Sequence, residues 1–265
     1  MVLWIIGGFL IILILVGVIG FLSFNNNVEQ EKAVLLGLNN KSNVKISLED
    51  MNGLPDLVKN YLIKVGVLGK PKYCNVVFNQ AGKIRAGIDK KWRSFTAVQY
   101  MSSVNYGFIW KAKSFPILIR DKSINNKGEV KVSFFGFKNI ARFFGREVDQ
   151  SSLARYLGEL IWFPVGFLDS DISWETISTS SVKAIMVKGN LTIEGFFFFA
   201  ENGLIDHFET KRYRDTILEN FIGEIGAYKS YDGFLLPNSM TGIWNINGQK
   251  LEYFKAKISR YEILT

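Results

Sequence analysis

The sequence predicts an α+β protein: an N-terminal membrane-spanning helix, then one large antiparallel sheet with a helix before it and a helix inserted into it. Three observations carry this reading. Val2 to Leu22 is an apolar run without a charged side chain. From Lys72 onward apolar residues recur with a period of two, interrupted at short intervals by turn signals. Two stretches alone, after Pro55 and after Asp149, show the three-and-four spacing of a helix with one buried stripe.

As a helix, Val2 to Leu22 would rise about 31 Å, which matches a hydrocarbon core of roughly 30 Å. A secretory signal carries Lys or Arg ahead of a shorter apolar region and small residues at a cleavage point. No basic side chain precedes this run, and Gly20-Phe21-Leu22-Ser23-Phe24 offers no small-x-small site. Residues 1–24 are therefore expected to remain as a single-pass anchor. Residues 25–50 read as a spacer, with Val28 to Leu38 either a short helix or a linker, and residues 51–265 as a single β-rich domain.

The aromatic content, 22 Phe, 10 Tyr and 6 Trp, calls for a substantial core. Cys74 is the one cysteine and His207 the one histidine. Internal disulfides are excluded, no Cys/His metal site is expected, and Cys74 is expected to be a small buried side chain in a strand. Between Lys70 and Glu147 sixteen Lys and Arg face Asp89, Asp121, Glu129 and Glu147, an excess of twelve positive charges, whereas the remainder to Thr265 has eleven basic and fifteen acidic residues. A basic half on a membrane-held domain would be drawn to anionic headgroups, at roughly 1 kcal/mol per Lys or Arg near the surface. A solvated basic face, or attraction between the two halves, explains the asymmetry equally well. No nucleic-acid-binding motif accompanies it, so no nucleic-acid partner is expected.

In the first helix Leu54, Leu57, Val58, Tyr61, Leu62 and Val65 form the stripe, Pro55 begins the first turn and Gly66 closes the last. Tyr106, Phe108, Trp110 and Ala112 then share one face of a strand. Asn125-Asn126-Lys127-Gly128 joins Ile117 to Ile124 with Glu129 to Phe135, and further segments from Val182 to Ile263 are separated by turns such as Lys188-Gly189-Asn190 and Asn247-Gly248. Connections this short require antiparallel neighbours. The inserted helix has Leu153, Tyr156, Leu157, Leu160 and Ile161 as its stripe, with Asp149, Ser151 or Ser152 as its cap and Pro164 beyond its end.

The block Arg155-Tyr156-Leu157-Gly158-Glu159-Leu160-Ile161-Trp162-Phe163-Pro164 resembles the R-Y-L-x-E-L-x-W-F-P signature of an uncharacterised bacterial membrane-anchored family. Leu54-Pro55, Gln99-Tyr100, Phe108-Ile109-Trp110, Arg212-Tyr213 and Tyr228-x-x-Tyr231-x-Gly233 follow in the same order. That resemblance spans most of residues 50 to 262 and implies no activity. More distantly, the order of elements is similar to that of the bacterial lipoprotein carriers of the lipoprotein-localisation system. This second resemblance implies that the sheet is an open, curved half barrel whose apolar cavity holds acyl chains. It also implies an extracytoplasmic domain at the cell membrane, although Lys32 and Lys41 after the span lean the other way.

No phosphate-cradling glycine loop and no nucleophile elbow occur, and no cofactor is expected. A ligand cavity would draw on Tyr106, Phe108, Trp110, Met240, Trp244, Trp162 and Phe163, with Arg155 meeting an anionic headgroup at its mouth or, in the simpler reading, pairing with Glu159 four residues on. The favoured function is binding of a lipid, lipoprotein or other acyl-bearing ligand without chemical conversion. An envelope hydrolase using Asp169, Asp171 or Glu175 is the alternative, and a structural or partner-binding domain a further one. The anchor leads to a simple expectation: the full-length protein stays in the membrane fraction through high-salt and carbonate washes, and recovery of a soluble species beginning near Ser23 would show a cleaved signal instead.

Overall fold

The computed structural model describes residues 2–37, 44–87 and 89–264, with the backbone alone at residues 2, 3, 9, 10, 12 and 13. Three α-helices are present among these residues: α1 (Val2–Leu36), α2 (Asp56–Lys64) and α3 (Arg146–Glu159). Strands β1 (Asn75–Ile84), β2 (Arg93–Ser102), β3 (Gly107–Ser114), β4 (Ile117–Ile124), β5 (Lys127–Phe134) and β6 (Lys138–Phe144) precede α3. After it come β7 (Ile172–Ser178), β8 (Ser181–Lys188), β9 (Leu191–Phe199), β10 (Ile205–Arg214), β11 (Ile217–Ile225), β12 (Tyr228–Tyr231), β13 (Phe234–Pro237), β14 (Ser239–Ile246) and β15 (Gln249–Leu264).

Thirteen strands form one sheet in the order β6-β5-β4-β3-β2-β1-β15-β14-β11-β10-β9-β8-β7, and β12 and β13 pair as a separate hairpin. All neighbours are antiparallel. In a flat sheet β5 and β10 would lie about 38 Å apart, at about 4.8 Å per strand. Helix α3, about 21 Å long, packs on both of them. The sheet is therefore curled into a half barrel with α3 across its concave face.

That position explains why α3 is buried on almost every side, with Ser151, Ser152 and Glu159 enclosed alongside Leu153, Tyr156 and Leu157. It also explains Gly158. A Cβ there would stand 2.6 Å from the ring of Phe208 on β10, so only glycine lets the helix come this close to the strand. The helix begins at Arg146, earlier than its expected caps. Asp149 does not cap it; its carboxylate accepts the Gly128 amide at 2.7 Å and pairs with Lys127, tying α3 to the turn between β4 and β5. The continuous core beneath α3 includes Phe78, Trp162, Phe163, Phe167 and Phe197.

The expected boundary between anchor and spacer is absent: α1 runs unbroken through residues 25–36 and packs on the convex face. Phe24, Val28 and Leu35 meet Ile109 and Leu118 there. Glu31 of α1 accepts hydrogen bonds from Arg120 at 2.6 Å and Lys122 at 2.8 Å, and Arg120 is bonded in turn to Glu129 on β5. Part of the basic excess is thus neutralised internally. The hydrophobic contacts and these ion pairs make residues 25–36 a docked helix instead of a tether. Among the described residues no helix is long and apolar enough to cross a membrane; the expected span from Val2 to Leu22 includes six side chains that lie outside the described set.

Burial opposes ionisation of Glu129, but hydrogen bonds from Arg120 and Arg142 and the charge of Arg120 outweigh it and hold its carboxyl at about 2, below its ordinary 4.5. A depressed carboxylate pKa gives stability that is fully present above the unfolded-state value and lost as pH falls through the folded one. The thermal stability of the full chain in detergent should therefore fall between pH 4.5 and about 2, and Glu129→Gln should remove that part of the pH dependence. An unchanged profile in the variant would mean that other carboxylates set the acid limit.

Candidate functional site

One turn of α3 places Arg155 and Glu159 on the same face, toward β2, β3 and β4. Arg155 donates from Nε to Glu159 Oε1 at 2.9 Å, from Nη1 to Asp121 Oδ2 at 2.6 Å and from Nη2 to Gln99 Oε1 at 3.1 Å. Gln99 donates to Glu159 Oε2 at 2.6 Å, which closes a ring of hydrogen bonds. The guanidinium lies 4.3 Å over Phe108 and 5.6 Å from the Trp110 ring centre. Burial by itself would make Arg155 easier to deprotonate, but the charges of Glu159 and Asp121 outweigh this and raise its pKa. Burial pushes Asp121 up despite Arg155 and Arg212, and its Oδ1 has no hydrogen-bond partner among the described residues.

Beside this ring lies a cavity of about 90 Å³. Its apolar wall is built by Trp110, Phe208, Phe221, Met240, Tyr253 and Phe254, and its polar side by Asp121, Arg155, Glu159 and Arg212. Trp110 donates its indole N–H to Gln80 at 2.7 Å, which fixes the ring. Arg212 on β10 donates from Nε to the Ser151 carbonyl at 3.2 Å, while its guanidinium lies 4.7 Å from the Phe221 ring centre and 5.7 Å from that of Trp244. Its two terminal nitrogens have no hydrogen-bond partner among the described residues. The site thus joins an apolar wall to one committed guanidinium and one with free donors.

Of the residues expected to form a cavity, Trp110, Met240 and Arg155 line this one. Trp244 stands behind the wall, 5.5 Å from both Tyr253 and Phe221. Phe108 is fully buried beneath Arg155. Trp162 and Phe163 are also core: Trp162 donates to the Pro237 carbonyl at 2.9 Å and packs on Phe78, and Phe163 packs on Tyr73. Tyr106 precedes β3, since the backbone turns at Tyr106 and Gly107 with φ of 32° and 154°, and its ring faces the Lys188 ammonium at 3.0 Å. The headgroup role expected of Arg155 meets a physical obstacle, because its three bonded nitrogens already serve internal partners.

Asp169 and Asp171 both pair with Lys188, and Glu175 pairs with Lys183 at 3.0 Å. None of the three lines the cavity. His207 bonds Asp206 at 2.8 Å and stacks on Phe198. Cys74 is exposed, contrary to expectation, because it lies just before β1 and outside its alternation. Among the described residues no group of His, Cys, Asp or Glu is arranged to hold a metal ion. Sequence reasoning missed Arg212, Asp121 and Gln99 as partners of the inserted helix. Gln99 and Arg212 do stand in the short pieces shared with the uncharacterised family, but nothing in the sequence pairs them with α3.

Fold and site together define a half-barrel β domain closed by an internal helix with a small mixed cavity. The chain belongs to a family of unknown function, DUF6544, whose model matches residues 44–256. Among solved structures it is similar to a LolA superfamily protein from Nitrosomonas europaea, with 11% identity, 78% of this chain and 94% of that chain covered, and a TM-score of 0.47. No curated protein matches the sequence.

The ring around Arg155 yields a stability test. Removing one member of a buried ion pair strands the others, at a cost of about 3–5 kcal/mol. Arg155→Met should destabilise the full chain by about that much in chemical denaturation. Arg155→Met with Asp121→Asn and Glu159→Gln together should recover part of the loss; no recovery would mean that Arg155 acts through packing on Phe108 alone.

Proposed function

We propose that this chain is a membrane-attached binding domain that takes a ligand with an apolar segment and an anionic group and does not convert it. The observation that carries the reading is the cavity in which an apolar wall meets Arg212, whose terminal nitrogens have no partner among the described residues. An aromatic face holds that guanidinium in place while leaving its donors available, a geometry suited to a carboxylate or phosphate. The carboxylates considered for hydrolysis, Asp169, Asp171 and Glu175, are engaged by lysines away from this cavity, and Asp121 and Glu159 within it are paired with Arg155, which favours binding over hydrolysis.

Size sets the ligand. A cavity of about 90 Å³ is smaller than the ~150 Å³ apolar cavity that accepts benzene. It therefore takes a short apolar segment, and a longer acyl chain requires the wall of the cavity to rearrange. Attachment through α1, with the basic β1–β6 arm facing anionic headgroups and the domain outside the cytoplasm, completes the proposal. The described part of α1 supports attachment: Trp4, Ile5, Ile6 and Ile11 are exposed, and Ile14, Leu15, Val18 and Ile19 are exposed on the side of the helix that faces away from the domain, as an apolar helix surface in contact with lipid would be. The small size of the cavity is also compatible with a second reading, in which the Arg155 ring locks a structural or partner-binding domain.

Calorimetric titration of the full-length protein in detergent with an unlabelled short-chain fatty acid separates the two. A charge-assisted hydrogen bond contributes about 1.5–3 kcal/mol, so Arg212→Gln should weaken binding roughly ten- to a hundredfold and abolish preference for the acid over the matching alcohol. Trp110→Ala should weaken acid and alcohol alike. Absence of saturable binding by the unaltered protein would leave the structural reading.

A further inference from the structure

Helix α1 passes the turn between β5 and β6 in close contact. A Cβ on Gly20 would stand 2.6 Å from the Phe135 carbonyl oxygen and 2.7 Å from Phe137 Cβ, and Gly136 abuts the Gly20 carbonyl in return. Phe135 also reaches Gly17. Around this contact the β3–β4 and β5–β6 turns present Phe115, 80% exposed, Phe137, 56% exposed, and Phe134, 40% exposed. Phe135 holds the two turns together, its ring 5.2 Å from Phe115 and 4.7 Å from Phe134. Lys113 and Lys138 flank them, both exposed, with the Lys113 ammonium 4.8 Å over Phe21 of α1.

The level of this patch along α1 matters. Leu22 ends the apolar run, and Gly17 and Gly20 precede it by five and two residues, so the turns lie about 3–8 Å deeper than the end of the run, at 1.5 Å per residue. Interfacial apolar groups bury to about 5–10 Å in the headgroup and acyl boundary. Aromatic rings with lysines whose stems reach outward are suited to that layer. We propose that the β3–β4 and β5–β6 turns form a second membrane contact, in which Phe115, Phe134 and Phe137 insert beside α1 and Lys113 and Lys138 meet anionic headgroups. This inference rests on the membrane attachment proposed for α1. It adds that the domain is seated on the bilayer in one orientation and does not swing on a tether.

Spin labels introduced into the full-length protein, with Cys74→Ser as background, test this in liposomes containing anionic lipid. Phe115→Cys and Phe137→Cys should each show a severalfold higher ratio of accessibility to oxygen over a water-soluble relaxation reagent than Asp215→Cys in the distant β10–β11 turn. Leu15→Cys reports on α1 independently. Lipid exposure at 15 with water exposure at 115 and 137 would overturn the second contact and leave the anchor standing, whereas water exposure at all three would overturn both. Labels at 115 and 137 shielded from both reagents would show that protein covers the patch, a second copy of the chain included, and would also overturn the proposal.

Discussion

The half barrel depends on one helix being held across its hollow. A sheet of thirteen strands curled this far has two distant arms, and an unfilled concave face would expose a large apolar surface. Helix α3 fills it and bonds to both sides. Toward β2 and β4 it uses the charged ring of Arg155, Glu159, Gln99 and Asp121. Toward β10 it uses close packing at Gly158 and paired hydrogen bonds between the Ser151 hydroxyl and the Tyr213 backbone. The cavity beside Arg212 is what remains between these two attachments.

A second attachment operates on the outside. The far half of α1 lies against β2, β3 and β4, and its Glu31 reaches a buried arginine, Arg120, that is shared with Glu129. Charges buried in this way add little stability over apolar packing of the same shape, but they penalise any other arrangement. Sliding α1 by one residue would move Glu31 by about 1.5 Å along the helix axis and about 100° around it, which would separate it from Arg120. The contact at Gly20 has the same effect sterically. Together they set where the apolar half of α1 leaves the domain.

Much of this was legible in the sequence because it is local. The period of two with Asn- and Gly-rich turns gave most strands, the stripe from Leu54 to Val65 gave α2, and the stripe around Leu153 gave α3. Strands β6 and β7 were not legible: β6 is exposed along nearly its whole length and β7 over most of it, so neither carries a strong alternation. The site divided in the same way. Trp110 and Met240 could be placed by parity, but parity does not say which apolar residue α3 will cover, and Phe108, two residues from Trp110, is sealed beneath Arg155. Tyr106 shows the limit most clearly, since the positive φ at Tyr106 and Gly107 takes it out of the strand whose pattern it seemed to begin.

What the structure adds to function is a division of labour between two arginines that the sequence does not distinguish. Arg155 is the more conspicuous, set in a ten-residue block on an apparently amphipathic helix, yet its contacts are internal and its role is to position the helix. Arg212 sits in an ordinary strand beside an aromatic wall, and its terminal nitrogens have no partner among the described residues. A buried cation already satisfied gains little from a ligand, because any new hydrogen bond displaces an existing one. A cation held in place by stacking exchanges only water for a ligand, since no internal partner has to be released. In the proposed binding reading, selectivity for an anionic group would rest on Arg212, and the Arg155 ring, by holding α3 in place, would give that arginine a fixed surface opposite the ligand.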